Sequence, residues 1–188
     1  MAAALIHYPV HDRSRAVVTS AITNLDLHDI ARSAHTYGLS DLFIVHPIAA
    51  QRLLAERVRE HWISGSGARR IPDRTPAISI LRVVPSLDDA LTEFAPGAEL
   101  WVTSAKGSGS LLDYPEARRA LAVDGPPVLI AFGTGWGLGD AVTARAQARL
   151  SSIVGCRADG YNHLSVRAAA AIIFDRLLSS QPGVHAQG

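Results

Sequence analysis

Val128-Leu-Ile-Ala-Phe-Gly-Thr-Gly-Trp-Gly-Leu138 is an apolar run that breaks into alternate glycines. Its first half reads as a buried strand stopping at Gly133, and Gly133, Gly135, Gly137 and Gly139 follow as a loop. Alternate glycines allow positive φ and let backbone amides approach a ligand closely. Downstream, Tyr161-Asn-His-Leu-Ser-Val-Arg-Ala-Ala-Ala-Ala-Ile-Ile173 opens with capping-type polar residues and continues as an alanine-rich helix. A helix start placed beside a glycine loop makes a small-molecule pocket with backbone donors.

Outward from that pair, short apolar runs alternate with helical patterns. Strands are expected at Ala3–Tyr8, Leu42–His46, Ile78–Val84, Leu100–Ser104 and Val128–Phe132, with a β-prone piece at Val17–Ile22. A helix capped by Asn24 or Asp26 runs to about Tyr37, where Gly38 ends it. Further helices are expected at Ala49–Trp62, from Ser86 to Phe94, and over Tyr114–Leu121, Asp140–Arg149 and Ser165–Leu178. Ser64–Ala68, Ile71–Pro76 and Lys106–Ser110 read as loop. Strands that are apolar throughout and separated by helices indicate an α/β fold with a parallel sheet covered on both faces. One domain over residues 1–178 and a frayed tail over 179–188 are the expected organisation.

The 188 residues are 48% hydrophobic and 19% charged, a globular composition. A single cysteine, Cys156, excludes an internal disulfide framework and a multi-cysteine zinc site, and no metal is expected. No signal peptide or transmembrane run is visible, so a cytoplasmic location is expected. Net charge is only +1, yet Arg52, Arg57, Arg59, Arg69, Arg70 and Arg74 fall close together against Glu56, Glu60 and Asp73. That cluster reads either as a solvated helix and loop or as a phosphate-contacting patch.

The glycine loop after a strand, followed by a polar-to-alanine helix, resembles the SPOUT methyltransferases. The resemblance implies a parallel sheet sandwiched by helices with a C-terminal deep trefoil knot, S-adenosylmethionine as cofactor, an RNA substrate and a homodimer. A third segment, Asn24-Leu-Asp-Leu-His-Asp-Ile-Ala-Arg-Ser-Ala-His-Thr-Tyr-Gly38 before the strand Leu42–Val45, is similar to the first motif of the SpoU branch. That branch methylates ribose 2′-hydroxyls in tRNA and rRNA. Arg32 occupies its arginine position and Tyr37-Gly38 its aromatic-glycine step, while Asp26 stands six residues before the arginine. The chain most closely resembles a small bacterial family of predicted SAM-dependent RNA methyltransferases.

The resemblance places the cofactor against Thr103, Ser104 and Ala105, the loop Gly133, Thr134, Gly135, Trp136, Gly137 and Leu138, then Ile153, Gly155, Leu164 and Ser165. Asn24, Asn162 and His163 become candidate substrate contacts, although helix capping explains Asn162 or Ser165 equally well. Methyl transfer to a ribose needs a base or a charge that stabilises the developing alkoxide. His28 and Arg32 are four apart and share a helix face, with Asp26 nearby. His28 suits a general base by its ordinary pKa, and Arg32 suits a phosphate or an oxyanion. Trp136 shields the cofactor or packs beneath the loop. Trp62 and His61 stack on a base or close a core helix. The expected activity is tRNA ribose 2′-O-methylation. Base methylation on the same fold and an idle RNA-binding protein are the alternatives. A Rossmann-type or P-loop nucleotide enzyme is disfavoured, because Gly-x-x-x-x-Gly-Lys-Ser/Thr is absent and the glycine-rich loop comes late in the chain, not after the first strand.

Overall fold

The first strand of the chain is the centre of its sheet. In the computed structural model, which describes residues 1–104 and 110–179, β1 (Ala2–Ile6) is buried at every position. An antiparallel pair follows, β2 (Val10–His11) with β3 (Val17–Val18), then α1 (Asn24–Thr36), β4 (Leu42–Val45) and α2 (Ala49–Ile63). Next come α3 (Ser66–Arg70), a 3₁₀ turn (Pro72–Arg74), α4 (Thr75–Ser79), β5 (Leu81–Val84) and α5 (Leu87–Phe94). The described chain continues with β6 (Glu99–Val102), α6 (Tyr114–Leu121), β7 (Val128–Gly133), α7 (Asp140–Thr143), β8 (Ala148–Arg149) and α8 (Val166–Leu178).

The main sheet runs β5-β4-β1-β7-β6-β8, and each pairing is parallel. Helices cover both faces, which is why β1, β4 and β7 are apolar without alternation. One face packs Leu27 and Ile30 of α1, Ile78 of α4, and Ile173 and Phe174 of α8 over Leu5, Ile44 and Ile130. Phe132 meets Phe174 edge-on, with ring centroids 5.5 Å apart. Loss of the Phe174 ring would cost ~3–5 kcal/mol. The opposite face packs Leu87 and Ala90 of α5 and Val142 of α7 over Ile6, Val45 and Leu129. Because β7 lies beside β1, Ile6 stands opposite Gly133, and the strand order changes direction there. Such a switch point at C-terminal strand ends is where open α/β sheets bind ligands.

Several expected boundaries change. The α1 cap is Thr23, not Asn24 or Asp26: Thr23 is extended, and its hydroxyl accepts from the Asp26 amide. The expected strand Ile78–Val84 is half helix, because Thr75-Pro76 start α4 and leave only Leu81–Val84 to pair with β4. Ser66–Arg70, read as loop, forms α3. The expected helix Asp140–Arg149 stops at Thr143, and Ala148–Arg149 pairs with β6. Gln147 draws the chain there, since its side-chain oxygen accepts from the Leu100 amide at 2.7 Å and its own amide donates to the Leu100 carbonyl. No helix among the described residues is long and apolar enough to cross a membrane.

Candidate functional site

The glycine loop is folded against the β2 hairpin. Trp136 N–H donates to the His11 carbonyl, His11 N–H to the Gly137 carbonyl, and Gly139 N–H to the Pro9 carbonyl. Glycine is needed here for more than one reason. A Cβ on Gly133 would lie 2.5 Å from the Leu138 nitrogen, and one on Gly135, at φ +58°, 3.0 Å from the His11 oxygen. Gly139 would press on Pro9. Gly137 differs, with φ +105° and open space where its Cβ would stand. Three of the alternate glycines therefore serve close chain packing, and Gly137 faces the open side of the loop.

Beneath the loop, a buried polar cluster ties it to the start of α1. Thr134 Oγ1 donates to the Ile6 carbonyl at 3.1 Å and contacts Ser20 Oγ, which in turn lies 2.9 Å from His7 Nδ1. A carbonyl only accepts, so Thr134 spends its proton on Ile6 and accepts from Ser20. Ser20 then accepts from His7, which places the His7 proton on Nδ1. His7 Nε2 is left as a buried lone pair without a partner. Burial, reinforced by the neighbouring His46, pushes the His7 pKa down to about 4. His46 has the other tautomer, because Ile48 N–H donates to its Nδ1 and its Nε2 donates to the Ser20 carbonyl at 3.0 Å.

The three expected catalytic residues lie along α1 with different surroundings. Asp26 is buried, accepts from the Thr23 hydroxyl at 2.6 Å, and pairs with Arg167 Nη1 of α8 at 2.6 Å. His28 is buried edge-on against Trp62, 5.2 Å between ring centroids, and its Nδ1 has no partner. Burial and then the Arg74 charge lower its pKa, so the ring is held neutral. Arg32 is exposed one turn further along. Asn24, the expected substrate contact, begins the helix and is exposed.

Thr103 follows β6, and its hydroxyl donates to the Ala131 carbonyl of β7 at 3.0 Å. Ser104 adjoins it, and Ala105 lies outside the described residues. Asn162 donates to the Ile153 carbonyl at 2.6 Å and so closes the loop that contains Gly155. Ser165 is the N-cap of α8, its hydroxyl accepting from the Ala168 amide. Trp136 and His163 meet edge-on at 6.4 Å, with Tyr161 5.3 Å from His163. Trp136, Tyr161 and Leu164 are all exposed. The structure thus brings the glycine loop and the segment before α8 together, with open space at Gly137 and exposed rings beside it. Arg167, Ser20 and His7 were missed by the sequence reading, because each acts on residues far away in the chain. Tyr161 stood in the quoted segment but carried no distinguishing signal.

A family model described as SAM-dependent RNA methyltransferase matches residues 1–179. A tRNA (guanine-N(1)-)-methyltransferase from Nitratidesulfovibrio vulgaris is 43% identical over 179 residues, covering 93% of this chain and 41% of that protein. The chain thus spans less than half the length of that relative. A protein of unassigned function from Aquifex aeolicus is 34% identical over 94% of this chain and 87% of its own length. Among solved structures, the SpoU methyltransferase AviRb from Streptomyces viridochromogenes, in complex with AdoMet, superposes with a TM-score of 0.55. It is 17% identical, with 95% of this chain and 56% of that chain covered. The fold is that of the SpoU methyltransferases.

Proposed function

Since the chain belongs to the SAM-dependent RNA methyltransferase family, we propose that it methylates a ribose 2′-hydroxyl of tRNA and works as a homodimer. The observation that carries this reading is Arg32, exposed on α1 and without an ion pair among the described residues, on the helix that follows the Ser20–Thr134 link to the glycine loop. Thr103, Ser104, Gly133–Leu138, Ile153, Gly155, Leu164 and Ser165 would hold S-adenosylmethionine, which would supply an electrophilic methyl group.

The protein's own residues handle the acceptor. His28 takes the hydroxyl proton, in keeping with a ring that burial keeps neutral. Arg32 holds the adjacent phosphate and offsets charge developing on the oxygen. Asp26 orients rather than reacts, since Thr23 and Arg167 occupy its carboxylate. A carboxylate neutralised by Arg167 does not repel a phosphate approaching Asn24. Arg32 lies about 12 Å along the helix axis from Asn24. In the proposed homodimer it serves the pocket of the second protomer.

Base methylation is the second reading, and the name of the Nitratidesulfovibrio relative favours it. That name describes a protein more than twice the length of the matched region. Alkaline hydrolysis of the methylated tRNA separates the two. A 2′-O-methyl group blocks cleavage at its linkage, whereas a methylated base leaves the linkage cleavable and would overturn the ribose assignment. Nucleoside mass spectrometry of tRNA from a deletion strain identifies the nucleotide.

A further inference from the structure

The arginine-rich segment forms one wall of a groove that begins at the candidate catalytic helix. Asn24 of α1 and Arg57, Val58, His61 and Trp62 of α2 line a cavity of about 310 Å³. Val58 and Trp62 form its apolar floor, and Asn24, Arg57 and His61 its polar rim. The Arg74 guanidinium lies over the Trp62 ring at 4.6 Å, and His28 and His61 both meet that ring edge-on. Trp62 is thereby fixed in place as a floor, in contact with the base proposed to act in catalysis.

Charge is concentrated on the same side. Residues 49–74 hold six arginines against three carboxylates, a net +3 in a chain whose total is +1. Among the described residues, none of Arg57, Arg59, Arg69, Arg70 and Arg74 forms an ion pair. A helix that covers a sheet would normally bury a stripe of apolar residues, yet α2 fully buries only Ala55. Val58, Trp62 and Ile63 pack only partly against the core, and the exposed face carries Arg57 and His61 together with Leu53, Leu54, Glu56 and Glu60. Unpaired guanidinium groups beside an apolar floor match the two halves of a nucleotide, phosphate and base. The cavity volume is at the low end of small-ligand sites and suits one nucleotide, not a duplex.

We propose that this groove holds one unpaired nucleotide of the RNA substrate, next to the nucleotide that is methylated. The base lies on Val58 and Trp62 against His61, and its phosphate is held by Arg57. The proposal rests on the RNA methyltransferase reading and adds a substrate contact outside the cofactor edge.

Fluorescence anisotropy with a labelled, unmodified tRNA transcript tests it across a salt series. Arg57→Ala with His61→Ala should weaken binding tenfold or more and reduce the salt slope by about 0.7–0.9 for the lost phosphate contact. Both residues are exposed, and calorimetric affinity for S-adenosylmethionine should not change. Wild-type affinity and slope in the double variant would overturn the groove. Failure of the unaltered protein to bind the transcript while still binding cofactor would overturn the RNA reading as well. If Arg57→Glu dissociates a dimer in sedimentation without weakening RNA binding, the face is an interface between copies and the proposal fails.

Discussion

Arg167 and Asp26, 141 positions apart, meet at 2.6 Å and join the first turn of α8 to the first turn of α1. The carboxylate is 8% exposed and the guanidinium 31%, so water screens only part of the pair. Arg167 also reaches Asp29 at 3.5 Å. Arg167→Ala should destabilise the fold by ~1–3 kcal/mol, because it leaves a buried carboxylate with only the Thr23 hydroxyl. Arg167→Lys should recover part of that loss. Urea midpoints at constant slope measure both, and an unchanged midpoint for Arg167→Ala would remove the pair from the stability argument.

The buried His7 sets a pH dependence. The unfolded chain takes up this proton at about 6.5, whereas the fold holds the ring neutral until about 4. Between those values the unfolded state carries more protons, so stability rises with pH. The contribution is complete above 6.5 and is lost as pH falls to 4, about 3 kcal/mol in all. His28 and His46, also shifted down by burial, act in the same direction. His7→Asn should flatten the stability profile over this window. A slope equal to wild type would show that His7 is not the group responsible.

Arg32 is the proposed substrate cation and stands on the solvent face of α1. Arg32→Ala should lower kcat about 100-fold or more at saturating cofactor, with cofactor affinity unchanged and stability within ~0.5 kcal/mol. Arg32→Lys should rescue little, because a point charge does not reproduce the planar fork. Near-normal turnover in the alanine variant counts against the assignment.

Two substitutions separate packing from cofactor binding in the glycine loop. Gly135→Ala should destabilise more than Gly97→Ala. Both have positive φ, at ~1–2 kcal/mol for any L side chain, but only Gly135 would also meet a backbone oxygen at 3.0 Å. Trp136, 55% exposed, should tolerate Trp136→Ala without loss of fold and bind S-adenosylmethionine more weakly. Equal affinity by titration calorimetry would move the cofactor away from this loop.

The homodimer is checked by light scattering. Along α8, Ala170, Ile173, Phe174 and Leu177 are buried in the core, while Ala168, Ala169, Ala171 and Ile172 remain half-covered. A dimer at micromolar concentration that Ile172→Glu converts to monomer is the expected result. A monomeric wild type would sink the shared-site reading of Arg32.

The sequence by itself determined the parallel sheet, because strands buried on both faces must be apolar throughout, as Ala2–Ile6 and Val128–Phe132 are. It also showed where the chain needs glycine and which helix carries His28 and Arg32, since these depend on local spacing. Why those glycines are needed was not legible. Gly135 and Gly139 yield space to Pro9–His11, more than a hundred residues away. The partner of Asp26, the line from Thr134 through Ser20 to His7, and the edge strand drawn in by Gln147 were equally hidden. Each depends on β7 lying beside β1 and α8 against α1. Only the tertiary structure decides such contacts, because side chains from distant segments become neighbours only once the sheet is assembled.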